Sequence, residues 1–163
     1  DLEGGYVDHP NDKGGATKFG VTQKTLQAWR GKPVSKFDVK CLLKEDAYAI
    51  YESEYYLKPG INLLPDCLRS LVLDMAVNMG PVQAVKIAQR VFNRLGTPIT
   101  CDGHLGAKSV LSAQVACNNS EKETINGIVD ARVEYYRMLV ARDSTQAVFL
   151  KGWDSRAEKF RYV

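Results

Sequence analysis

The chain has 163 residues and a mass of 18.1 kDa, enough for one compact domain or two small lobes. A chain of this size buries about 70% of its unfolded surface on folding, so its core needs neither metal nor disulfide staple. With 45% hydrophobic and 25% charged residues and a mean hydropathy of −0.26, disorder, collagen and coiled coil are excluded.

The longest apolar run, 71–79, is interrupted by Asp74 and Asn78 and falls short of the roughly 18 residues of a membrane span, so no integral membrane segment is expected. The net charge of +3 and pI near 8.6 lie below the pI of about 9 that marks a nucleic-acid footprint, so nucleic acid is not an expected partner. Cys41, Cys67, Cys101 and Cys117 form no CxxC motif and only two histidines are present, which argues against a metal site. Disulfides are possible, but a core of this size does not require them, and buried free thiols are the favoured state. The chain begins without Met and without the charged and apolar regions of a signal peptide, so it does not reveal an export route.

In chain order, residues 1–20 hold five of the thirteen glycines with Pro10, Asn11 and Asp12, the composition of turns and short strands. Residues 21–30 place Leu26 and Trp29 on one helical face with Thr22 as N-cap, and Gly31 and Pro33 end that helix. From Asp38 to Lys58, Leu42, Leu43, Ala47, Ile50, Tyr51 and Tyr55 recur at three and four, which predicts one helix closed by Pro59-Gly60. Pro65 opens a helix to Met79, Gly80-Pro81 separates it from a helix over 82–95, and 97–106 is a loop containing Asp102-Gly103. Helices over 108–117, 121–142 and 145–160 complete the chain, with Ser120 and Glu123 at the start of the longest. At least two of Tyr48, Tyr51 and Tyr55 are read as packing, as are Trp29 and Trp153, whereas the basic residues Arg132, Arg137, Arg142, Arg156, Lys159 and Arg161 read as a solvated face.

Glu3 precedes Gly4-Gly5, and Asp12 follows nine residues on, with Thr17 and Thr22 beyond. Two carboxylates on a glycine-rich turn suit acid-catalysed glycoside cleavage, in which one donates a proton to the leaving oxygen while another group handles water or the developing positive charge. On spacing alone the plainer reading prevails, an exposed Glu beside a flexible turn in which Asp12 bonds its own backbone.

The string EGGYVDHPNDKGGATKFGVT, 3–22, closely resembles the signature of glycoside hydrolase family 108, phage and bacterial N-acetylmuramidases. Glu3, Gly4, Gly5, Tyr6, Pro10, Asp12, Gly14, Gly15, Thr17, Gly20 and Thr22 carry the resemblance, while Asp8, His9 and Lys13 depart from it and leave Glu3 untouched. It implies that Glu3 is the general acid cleaving the β-1,4 bond after N-acetylmuramic acid in peptidoglycan. The Glu3, Asp12 and Thr17 series is also similar to that of phage-type lysozymes and suggests Asp12 as the assisting carboxylate. A proton donor at residue 3 needs support, which implies a native chain continuing upstream.

Residues 73–89, 102–113 and 151–160 resemble the transition into, and the body of, a C-terminal helical module described as peptidoglycan-binding. Asp74 and Asn78 share a helix face and can bond each other or a loop, and a structural role is the favoured reading; a similar Asn-x-Gly lines the cleft of phage lysozymes, a resemblance that makes Asn78 a candidate site organiser as well. Tyr6, beside Glu3, is the better candidate for stacking on a sugar.

The expected fold is mainly α, lysozyme-like α+β: an irregular glycine-rich N-terminal lobe with short strands, then about six to seven helices. Residues 1–80 form the catalytic lobe and 81–163 the peptidoglycan-binding lobe, packed as one compact unit. Glu3 and Asp12 are the catalytic candidates, Tyr6, Thr17, Thr22 and Asn78 the substrate-binding ones. No metal or cofactor is expected, peptidoglycan is the partner, the chain acts as a monomer, and its place is the periplasm or cell wall. A non-catalytic wall-binding or secretion-accessory protein is the alternative.

Overall fold

The computed structural model describes residues 4–8, 10 and 15–163. Its chain divides into two compact units, Asp1–Leu57 and Lys58–Val163. Seven α-helices and one two-stranded sheet are present among the described residues, the mainly α architecture expected from the sequence. No described helix is long and apolar enough to cross a membrane.

In the first unit, β1 (Thr17–Lys18) and β2 (Val21–Thr22) pair antiparallel, Thr17 opposite Thr22 and Lys18 opposite Val21. The two-residue turn between them, Phe19-Gly20, has positive φ at both positions, 53° and 76°. Such a turn matches the twist of the strands it joins. Glycine is also required at 20 by space, since a Cβ there would sit 2.5 Å from the Tyr51 hydroxyl. Phe19 is the one described non-glycine residue with positive φ, and the Tyr51 hydroxyl donates to its carbonyl oxygen. Val7 forms a bridge to Thr17, so a third extended segment lies beside β1.

Thr22 caps α1 (Gln23–Arg30) as expected, its hydroxyl accepting from the Thr25 amide at 3.1 Å, and Gly31 ends the helix. Trp29, expected in the core, is 36% exposed, because only Leu26 of this short helix is buried.

The single helix expected over 38–58 is three pieces. A capping box, in which the Ser35 hydroxyl accepts from the Asp38 amide and the Asp38 carboxylate from the Ser35 amide, starts α2 (Lys36–Lys40) upstream of the expected point. A turn at 41–43 buries Leu42, and α3 (Lys44–Ile50) then widens into a π-helical segment, Tyr51–Leu57. The tyrosines follow the packing expectation: the Tyr51 and Tyr55 rings lie 5.3 Å apart, while Tyr48 is exposed.

The second unit is built on α4 (Asp66–Met79), α5 (Pro81–Leu95), α6 (Ala107–Arg142) and α7 (Ala147–Glu158). Pro65 stands immediately before α4, and Pro81 at the first position of α5 has no amide to lose there. Leu68, Leu71 and Met75 of α4, Ile87 and Phe92 of α5 and Ile128 of α6 are essentially fully buried, each worth about 1.5–3 kcal/mol of apolar transfer.

The helix α6 is interrupted at Ser120, whose backbone is extended (φ −162°, ψ 104°). Its hydroxyl accepts from the Glu123 amide at 3.2 Å, so Ser120 caps the second half, the start expected from the sequence. The loop 97–106 is organised by Gln89, which is wholly buried. Its amide nitrogen donates to the Asp102 carboxylate, the His104 carbonyl and the Ser109 hydroxyl, and its oxygen accepts from the Gly103 amide. Asp102 also accepts from the His104 amide, and this bond above all holds its carboxyl below the usual range.

The cysteines are free thiols but not buried ones. Cys41 is exposed where α2 ends, and Cys67, Cys101 and Cys117 are half-buried. The sulfurs of Cys67 and Cys117 lie 3.7 Å apart, and burial pushes the Cys117 thiol up to about 12.

Candidate active site

Glu3, His9, Asp12 and Gly14 lie outside the described residues. The flanking segments 4–8 and 15–22 are described. The Phe19 amide donates to the Gly4 carbonyl at 3.0 Å, and Val7 and Thr17 exchange two hydrogen bonds of 2.8 Å. These three bonds fasten the segment carrying Gly4, Gly5 and Tyr6 to the β1–β2 hairpin. A Lys36–Asp8 ion pair of 2.9 Å anchors the same segment to α2, and the hydrogen bond to Asp8 raises the Lys36 pKa.

Two of the sequence candidates meet here. Thr17 and Thr22 are directly opposed across the hairpin, which places their side chains on one face of the sheet. Their roles differ: the Thr22 hydroxyl caps α1 and lies 3.0 Å from that of Thr25, while Thr17 makes its described contacts through the backbone. Tyr6 is half-buried. Beneath the hairpin, the Tyr51 hydroxyl holds the Phe19 carbonyl, and the Tyr55 hydroxyl reaches Thr25 at 3.4 Å.

The remaining candidate, Asn78, belongs to the second unit, near the end of α4. It is part of a polar cluster set among apolar residues. Arg132, wholly buried on α6, donates through Nε to the Tyr136 hydroxyl at 2.7 Å and through Nη2 to Asp74 at 2.7 Å. The Tyr136 hydroxyl donates to Asn78 Oδ1 at 2.5 Å. From α7, Arg156 binds both oxygens of the Asp74 carboxylate. The Tyr136 ring stacks on Trp153, and Trp153 on Phe149, which is about half exposed.

The expected solvated basic face is therefore corrected at three positions. Arg132 is buried, Arg156 is tied to Asp74, and Arg161 is tied to Glu158 and Asp130. Charge alone marked these residues as surface. The signal that was missed is that Arg132 and Tyr136 are four apart on one helix face, as are Asp74 and Asn78, so two paired faces can meet.

Comparison with known proteins adds three findings. The family model described as Glycosyl hydrolase 108 matches residues 1–80, and that described as Predicted Peptidoglycan domain matches 83–158. The solved structure of Brucella abortus SagA matches with a TM-score of 0.81 at 39% sequence identity, over 98% of this chain and 84% of that one. No curated protein matches. The hydrolase match covers the hairpin and α1 to α4, and the peptidoglycan match begins within α5. By these matches the chain belongs to the glycosyl hydrolase 108 family, as a glycoside hydrolase acting on peptidoglycan and carrying a predicted peptidoglycan domain behind its hydrolase segment.

Proposed function

We propose that the chain is an N-acetylmuramidase, hydrolysing the β-1,4 bond between N-acetylmuramic acid and N-acetylglucosamine with Glu3 as general acid. The observation that carries this reading is the hydrolase family match over 1–80, in which Glu3 directly precedes in sequence the glycine-rich segment, from Gly4 on, that is fastened to the hairpin. A general acid must hold its proton near working pH, which partial desolvation provides, while an assisting carboxylate stays ionised. Asp12 fills the second role. Protonation of the leaving oxygen by Glu3 contributes about 10²–10⁴ in rate.

Tyr6 offers a ring for stacking on a sugar, and Thr17 a hydroxyl on the hairpin face. Thr22 sets the edge opposite Thr17 through its cap on α1. Asn78 supplies a carboxamide to the glycan. The protein works as a monomer in the periplasm or cell wall, in phage lysis or in release of proteins across the wall.

The test is mass spectrometry of muropeptides released from purified sacculi. Reducing-end N-acetylmuramic acid is the expected product, and Glu3→Gln abolishes its release while the protein stays folded. Anhydro ends, or full activity in that variant, overturn the reading. The peptidoglycan match over 83–158 favours one second reading, a wall-binding protein without turnover, which predicts cosedimentation with sacculi and no new reducing ends.

A further inference from the structure

Two thiols fifty residues apart along the chain meet within the second unit. Cys67 stands in the first turn of α4 and Cys117 in the first half of α6, before the break at Ser120, and their sulfurs lie 3.7 Å apart. The helices that carry them pack on each other, and Leu68 and Ala116, the next residues along the chain, are buried. Core packing therefore brings the sulfurs together. A disulfide holds its sulfurs at about 2.05 Å, so the gap to close is about 1.7 Å. That gap is shared by two side chains, each with a free torsion about its Cα–Cβ bond. Both thiols are half-buried, so one side of the pair stays open to a reagent.

The two sulfurs are not equivalent. Burial above all raises both thiols, and the Glu121 carboxylate adds to the effect at each. Their mutual contact acts in opposite directions: it favours a thiolate at Cys67, which accepts a hydrogen bond from Cys117, and disfavours one at Cys117. Cys67 is therefore the attacking member and Cys117 the resolving one. A disulfide between them carries no charge and leaves no S–H group to satisfy, so it suits this half-apolar position better than a thiolate does.

We propose that Cys67 and Cys117 are a disulfide-forming pair that staples α4 to α6 when the chain meets an oxidising thiol–disulfide couple. The oxidant is a disulfide, of a small molecule or of an oxidoreductase. The Cys67 thiolate attacks one of its sulfurs, releasing one oxidant thiol and leaving a mixed disulfide on Cys67. Cys117, as it loses its proton, attacks Cys67 Sγ and expels the second oxidant thiol. Two protein thiols are thus oxidised by two electrons, one oxidant disulfide is reduced to two thiols, and the two protein protons end on those thiols. The loop so closed contains the whole of α5 and the junction between the two family matches, so the last helix of the hydrolase segment becomes bonded to the peptidoglycan segment. Closing it removes freedom from the unfolded chain and stabilises the folded one. The pair stays open in a reducing compartment and closes in an oxidising one. The pairing does not depend on the hydrolytic reading.

The test incubates the folded full chain with oxidised glutathione or with dithiothreitol, blocks the remaining thiols with N-ethylmaleimide, and maps peptides without reduction. The expected product of oxidation is a linked Cys67–Cys117 peptide, with a melting temperature about 5–15 °C above that of the reduced chain. Cys67→Ala loses the response of the melt to dithiothreitol, and the double variant Cys41→Ser with Cys101→Ser keeps it. Cys117→Ala accumulates glutathione on Cys67. Three outcomes overturn the inference: no linked peptide, glutathione that persists on Cys67 of the unmodified chain, or a linked form that melts no higher than the reduced one. The main readout compares two states of the unmodified chain, so a variant that fails to fold leaves it intact. Muropeptide release plays no part in it, so the pairing and the hydrolytic reading stand or fall separately.

Discussion

The guanidinium of Arg132, wholly buried on α6, meets the Asp74 carboxylate of α4 at 2.7 Å, and Asp74 is also bound by the partly exposed Arg156 of α7. The two partners are therefore not equivalent. Removing Asp74 leaves a buried cation without its counter-charge, whereas removing Arg132 leaves Asp74 still paired. Asp74→Asn is expected to lower unfolding free energy by about 3–5 kcal/mol and Arg132→Met by clearly less, the usual asymmetry of a buried pair. Urea unfolding of both variants gives the order directly, and equal losses would contradict it.

At the hairpin, Gly20→Ala combines a left-handed backbone with a Cβ 2.5 Å from the Tyr51 hydroxyl. The expected destabilisation is about 1–3 kcal/mol. Tyr51→Phe removes the atom that the methyl meets, so the double variant should recover part of the loss relative to the sum of the singles. A thermal-melt double-mutant cycle reads this coupling.

The thiols divide by reactivity. Cys41 is exposed, while burial raises Cys67 and pushes Cys117 up to about 12, leaving little thiolate near neutrality. At pH 8, alkylation of Cys117 in the folded protein should be slower than in the urea-unfolded chain by on the order of a thousandfold, since the thiolate is the nucleophile. Peptide mapping after timed iodoacetamide quenching measures it site by site.

Burial also raises the Tyr136 phenol, partly offset by the Arg132 guanidinium. A raised folded value means that the neutral phenol is favoured by folding. Its contribution is fully present below the unfolded value of about 10 and is lost as pH rises through the folded value. Urea midpoints from pH 8 to pH 11.5 should therefore fall more steeply for the unmodified chain than for Tyr136→Phe, the difference opening only above about pH 10. Parallel curves would show that the phenol is not desolvated.

What could be read in the sequence was local. The cap at Thr22, the start at Ser120 and the punctuation at Pro65 and Gly80-Pro81 depend on bonds or clashes within a few residues, and the structure has all of them. The break at 41–43 was not legible, because Leu42, Ala47, Ile50 and Tyr51 keep a helical spacing whether one helix or several carry them. The burial of Arg132 escaped for a different reason: its partner Asp74 lies 58 residues away along the chain, as Asn78 does from Tyr136, and no local rule predicts that a cation will find them. Of the site candidates, the hairpin pair Thr17 and Thr22 came together because a two-residue turn brings its flanking residues face to face.

The seam at which the family matches divide the chain, between residues 80 and 83, is not the seam at which its packing divides, after Leu57. The helix α4 carries the last stretch of the hydrolase segment, yet Leu68, Leu71, Val72, Met75 and Ala76 are buried within the second unit, where α4 packs on α5. Such a chain resists being treated as two exchangeable cassettes. A hybrid joined at Gly80 would part α4 from the surface it was shaped against and leave a sticky apolar stripe on the donor piece. A hybrid joined near Lys58 keeps that helix with its neighbours, so the piece of this chain that can be exchanged whole begins upstream of α4.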